Sequence, residues 1–181
     1  MFEPSYGNLT KKIRKIYLNY LIKNKKIKKV TKEILSLKAS STDKLYFWQL
    51  YSILGEDIIT DIITKFYTRI FNDNINIEFS QVFKETGPIE YHIMGQKRFW
   101  LDAMGGGEFY KNGKKKVYQH HVIVKNIMTY EGSILWLYHM YSVLDTFTEL
   151  HKDNRVVPCI KEFLIFFMKK YSKQFKFKSK L

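Results

Sequence analysis

Residues 91–107, YHIMGQKRFWLDAMGGG, decide how this chain folds. Tyr91 to Met104 reads as one helix, and Gly105-Gly106-Gly107 stops it, because three consecutive residues without a Cβ favour a turn over continued helix. Phe109 to Lys116 then reads as a loop, with Gly113 as a turn. A short helix is expected over Val117–Val124, carrying the adjacent pair His120 and His121. After a connection over 125–133, an apolar helix is expected from Ile134 to Leu150, with Trp136, Met140, Val143 and Phe147 on adjoining faces. The order is therefore helix, forced break, loop, histidine, helix.

Upstream, Leu45 to Leu54 reads as a helix ended at Gly55, and Glu56–Asp57 open a second one, where acidic residues suit the positive end of the helix dipole. Ile58, Ile59, Ile62, Ile63, Phe66, Tyr67 and Ile70 recur at helical period and give that helix one apolar face. Asn72-Asp73-Asn74 ends it. Residues 75–90 show little beyond Phe79 and Phe83, one helical turn apart, and the break at Gly87-Pro88. A last helix, Cys159 to Tyr171, follows Pro158, a position where proline is tolerated. No stretch alternates at the two-residue period of a strand. The expected fold class is all-α.

Of the 181 residues 45% are apolar and 17% aromatic, enough for a core of domain size. The one cysteine, Cys159, excludes a disulfide framework and a cysteine-based zinc site. No run is apolar for long enough to cross a membrane as a helix, and the first residues do not read as a secretory signal. The net charge of +14 is unevenly placed: residues 1–44 carry +9, residues 169–181 carry +6, and residues 45–168 are at −1. Three segments follow: a basic helical extension (1–44), a near-neutral domain (45–168) and a basic tail (169–181). Within the extension, Ile13, Ile16, Tyr17, Tyr20 and Leu21 share one helical face among lysines, giving one basic amphipathic helix or two short ones. Such a face can pack on the chain's own core or on a partner. The tails have the charge to meet neighbouring protein subunits, and after them a nucleic acid or an anionic membrane surface.

Three polar groups stand on apolar helix faces. His92 and Gln96 are four residues apart and share a face, with Phe99 and Trp100 beside it, and Tyr67 interrupts the isoleucine face. Buried polar tips need partners, and a buried ligand that accepts hydrogen bonds would satisfy all three together.

These residues resemble a known family, the truncated haemoglobins, whose helices form a two-over-two sandwich. The resemblance rests on Phe66-Tyr67, on Gln96 to Phe99, on Gly105-Gly106 with Tyr110, on Gly113 and His121, and on Trp136-Leu137 with Met140; it covers roughly residues 45–168. Gly107 stands where the family has proline, and residues 1–44 have no counterpart in the family pattern. The resemblance implies a globin-like fold with an extra basic N-terminal helix, a haem iron as cofactor, and a diatomic ligand such as dioxygen or nitric oxide. It makes His121 the proximal iron ligand in preference to His120, because Val117, four residues before His121, supplies the apolar position that the family keeps there. Tyr67, His92 and Gln96 would form the distal pocket, Phe79 or Phe83 the wedge against the haem, Phe99 a neighbouring wall, and Trp136 the floor. A neutral imidazole leaves the opposite iron position open, and a tyrosine or glutamine donor there slows ligand release. Redox chemistry at the iron would need a separate electron donor. The rival expectation is a globin-fold accessory subunit of a large assembly, with or without haem, docked by its basic ends. The lysine-, isoleucine- and asparagine-rich composition of an AT-rich coding genome suits a mitochondrial complex, with the cytoplasm as the alternative compartment.

Overall fold

The computed structural model describes residues 1–41, 44–110 and 129–177. Seven α-helices lie within them: α1 (Asn8–Lys23), α2 (Lys32–Leu35), α3 (Tyr51–Phe71), α4 (Ile77–Thr86), α5 (Ile89–Ala103), α6 (Tyr130–Thr146) and α7 (Val156–Phe175). Short 3-10 turns occupy Phe47–Gln49 and Thr148–Lys152. Among the described residues, β pairing is limited to one isolated parallel bridge between Ser5 and Gly106. The described residues are all-α, as expected. Helix α3 packs along α5, α6 along α7, and the two pairs meet where α3 crosses α6.

The isoleucine face of α3 is buried as its period requires: Ile59, Ile62, Ile63, Phe66, Tyr67 and Ile70 are all at most 3% exposed. The expected helix over residues 45–54 is instead a 3-10 turn followed by the first turn of α3, which kinks at Gly55. Leu45 to Leu50 is buried on every side, so no amphipathic period operates there. The segment is held by side-chain bonds to α2. Trp48 Nε1 donates to the Ile34 carbonyl at 2.9 Å, and Gln49 Nε2 donates to the carbonyls of Glu33 and Ser36 at 2.9 and 3.1 Å. These bonds satisfy carbonyls that a four-residue helix leaves open.

Two boundaries differ from expectation for capping reasons. Thr129 accepts from the Gly132 amide and starts α6 four residues before Ile134. That helix stops at Thr146, and the chain continues to Lys152 as a 3-10 turn, where His151 donates to the Leu144 carbonyl at 3.1 Å. Helix α7 passes through residue 168 to Phe175, with Pro158 in its first turn.

Helix α1 packs on the core through the face that its period marked. Ile13, Tyr17 and Leu21 are at most 4% exposed, and the Tyr17 ring lies 5.3 Å from Phe163, 4.8 Å from Phe166 and 6.2 Å from Trp48. At about 1.5–3 kcal/mol per fully buried side chain, these three residues contribute an upper estimate of roughly 5–9 kcal/mol.

A carboxylate locks the start of this helix. Asp102, at the end of α5, is fully buried; its Oδ1 accepts from the amides of Leu9 at 2.9 Å and Thr10 at 3.1 Å, and its Oδ2 accepts from the Tyr110 amide at 3.3 Å. The Thr10 hydroxyl bonds the Asp102 carbonyl. The N-cap residue, Gly7, has no side chain to perform this task, and a Cβ there would overlap the Asp102 carboxylate. Thus an acid from another helix caps α1 and complements its dipole. Gly105 lets the chain turn directly after α5: its φ is +96°, and the Trp48 carbonyl occupies the space a Cβ would need.

Candidate haem pocket

Tyr67 is the centre of the site. It sits on α3 next to Phe66, which turns to Trp136 at 4.8 Å between ring centroids. The Tyr67 ring is 3% exposed and packs against Phe66 at 5.0 Å, His92 at 5.3 Å and Phe83 at 6.1 Å. Its hydroxyl makes no hydrogen bond among the described residues. Burial, with Tyr171 nearby, pushes its pKa far above the ordinary phenol range, so the group keeps its proton and remains a donor.

His92, on α5, lies between Tyr67, Phe71 and Phe83. Its Nε2 is 2.9 Å from the Phe83 carbonyl. A carbonyl only accepts, so Nε2 carries the hydrogen and Nδ1 is bare. Burial lowers its pKa, against the opposing pull of the Phe83 and Gly87 carbonyls, and the ring is held neutral. Gln96, one turn further along α5, is half-buried and makes no hydrogen bond among the described residues. Phe99 is also half-buried, facing Tyr110 at 6.0 Å and Phe167 at 5.8 Å.

The two candidate wedges part company. They touch each other at 5.1 Å, but Phe83 faces Tyr67 and His92 while Phe79 stacks on His139 at 5.9 Å. Trp136 is half-buried against Phe66. Tyr67, His92, Phe83 and Trp136 thus come together around one interior wall, Gln96 and Phe99 follow along α5, and Phe79 stands behind Phe83. His121, with His120, Val117 and Gly113, lies outside the described residues.

Two contributors escaped the sequence reading. Tyr171, on α7, lies near both Tyr67 and Tyr110, so these three phenols border one region. Phe167, Tyr171 and Phe175 follow each other at one-turn spacing, with rings 4.5 and 5.6 Å apart, a signal that was available. The other is His139: it is 3% exposed, and its Nε2 donates to Asp73 Oδ2 at 3.0 Å. Asp73 also accepts from the amides of Ile75 and Asn76 and from the Asn76 side chain. Burial would raise this carboxylate's pKa, but those bonds prevail and hold it at about 2. The partner lies 66 residues earlier in sequence, in a turn, so no local pattern announces the pair.

The bacterial-like globin family matches residues 49–165, about two thirds of the chain, from the turn before α3 to the middle of α7. The chain belongs to the bacterial-like globin family. Its relatives are truncated haemoglobins. The globin is 27% identical over 111 residues to a protein named two-on-two hemoglobin-3 from Arabidopsis thaliana, covering 59% of this chain and 60% of that one. It is 25% identical over 109 residues to group 2 truncated hemoglobin 3-1 from Lotus japonicus, covering 59% of this chain and 62% of that one. The globin therefore spans about 60% of the length of these curated relatives. No solved structure matches it. Residues 1–48 and 166–181 lie outside the matched region. Among the described residues of the globin, no helix is long and apolar enough to cross a membrane, and no three His, Cys, Asp or Glu side chains could together hold a metal ion.

Proposed function

We propose that this globin holds haem through His121 and binds a diatomic ligand, dioxygen or nitric oxide, on the side of Tyr67. The observation that carries the reading is Tyr67: a buried residue whose protonated hydroxyl makes no hydrogen bond among the described residues, at the end of a wall built from Phe66, Phe83 and His92. That hydroxyl is free to donate to an acceptor from outside the helices. The aromatic walls suit a flat apolar macrocycle, and the few polar groups suit a small ligand. These residues fit the group that globins bind through a proximal histidine.

Bound haem would supply an iron able to bind a diatomic molecule. The chain's own residues would do the rest. Tyr67 donates to the ligand, and Gln96 stands one turn from His92 as a second donor. His92, already bonded to Phe83, fixes the Tyr67 ring rather than donating itself. Phe83 closes the wall beside it, and Trp136 backs Phe66. The test is titration of the purified protein with haemin, followed by reduction and exposure to carbon monoxide. One haem per chain and a carbon monoxide difference spectrum are expected; a protein that takes up no haem contradicts the reading.

A further inference from the structure

Helix α1 and the C-terminal half of α7 form one basic surface. Helix α1 runs antiparallel to α7: Tyr17 and Tyr20 pack on Phe166 at 4.8 and 4.9 Å, Lys26 pairs with Glu162 at 2.7 Å beyond them, and Lys12 at the other end lies beside Lys170. The outward side of this pair carries Lys12, Lys15 and Lys23 from α1 and Lys170 and Lys173 from α7, all exposed. None of the five is ion-paired among the described residues. Neither α1 nor the stretch from Phe163 to Phe177 contains an acidic residue. Lysines on adjoining helices repel one another, and a bound polyanion relieves that repulsion.

The chemistry of the face selects among polyanions. An interfacial membrane helix inserts an apolar side, but that side of α1 is packed on Phe163, Phe166 and Trp48; of the large apolar residues of α1 and α7, Ile22 alone is exposed. Stable protein interfaces have an aromatic or aliphatic centre and few lysines there. A phosphodiester backbone needs neither insertion nor an apolar centre; it needs cations in rows. The five cations are all lysines, point charges without the planar fork by which arginine reads guanine. We propose that the face formed by α1 and the C-terminal half of α7 binds the phosphate backbone of double-stranded nucleic acid, without reading its sequence. The proposal is independent of haem binding.

The test uses the full chain and two labelled duplexes of unrelated sequence, measured by fluorescence anisotropy across a salt series. Equal affinity for both duplexes is expected. The logarithm of the association constant should fall with the logarithm of salt concentration at a slope of roughly −4 to −5, for about five neutralised phosphates. Between 50 and 200 mM salt, that slope is about a few hundredfold in affinity. The variant carrying Lys12→Glu, Lys15→Glu, Lys170→Glu and Lys173→Glu should lose at least a hundredfold at low salt while keeping the wild-type circular dichroism spectrum. Lys84→Glu with Lys152→Glu, exposed but off this face, should change affinity less than threefold. A wild-type protein that binds neither duplex overturns the proposal. So does a patch variant that folds and binds as tightly as wild type. Affinity for phosphatidylserine vesicles or polyglutamate equal to or above that for duplex also overturns it, and assigns the face to a bilayer or an acidic protein instead.

Discussion

Replacing Asp102 by alanine removes the acceptor that holds α1 to the globin core. The carboxylate accepts two backbone amides of α1 and one from Tyr110, all within 2.9–3.3 Å, in a fully buried site. An N-cap acceptor is worth about 1 kcal/mol, and each buried donor left unpaired costs roughly 1–3 kcal/mol. Removing the buried charge recovers part of its desolvation. The net loss for Asp102→Ala should be about 3 kcal/mol, and that for Asp102→Asn about half, because an amide oxygen can still accept from Leu9 and Thr10 but its NH2 opposes the Tyr110 amide. In a chain of this size 1 kcal/mol is roughly 2–4 °C in Tm, so about 6–12 °C is expected for alanine. Urea unfolding with intrinsic tryptophan fluorescence measures the loss, and hydrogen exchange at Leu9 and Thr10 locates it. An alanine variant within about 2 °C of wild type, with α1 amides as protected as before, would refute the clamp.

Further outcomes follow from the same geometry. His139 and His92 are held neutral, their folded pKa values lying below the unfolded one, so the unfolded chain binds more protons on acidification. Stability is then complete above pH about 6.5 and falls below it, by at most about 1.4 kcal/mol per pH unit for each histidine. His139→Gln should roughly halve that slope in urea titrations between pH 7 and 5; an unchanged slope contradicts the assignment. Asp73, held at about 2, adds a second loss as pH falls from about 4 toward 2. Asp73→Asn should flatten that acid limb, which a thermal melt series reads. In the haem-loaded protein, Tyr67→Phe should speed dioxygen release about tenfold to a hundredfold, the worth of one hydrogen bond to a partly charged acceptor. Flash photolysis or stopped flow showing the wild-type rate would remove Tyr67 from the donor role.

Much of the frame was legible because it depends on period and on glycine. The isoleucine face of α3, the break at Gly105 and the apolar stripe of α1 are local patterns, and each is where it was expected. The segment from Leu45 to Leu50 misled because a stretch buried on all sides has no amphipathic period to read. Residues 75–90 were opaque because α4 is started by Asp73 and Asn76, in a turn whose role depends on tertiary contact with His139. The candidate distal residues were visible as polar interruptions of apolar faces. That His92 is bonded to Phe83, and that Phe83 rather than Phe79 faces Tyr67, depends on how α4 meets α5, which no spacing encodes. The clamp made by Asp102 has no local signal, because its partners in α1 lie more than ninety residues away.

The measurement that bears most directly on the proposed function is the iron–histidine stretch of the ferrous, haem-loaded protein by resonance Raman spectroscopy. Wild type and His120→Gly should both show it; His121→Gly should lose it, and free imidazole should restore it. A band that survives in His121→Gly, or is absent from wild type, would contradict the account.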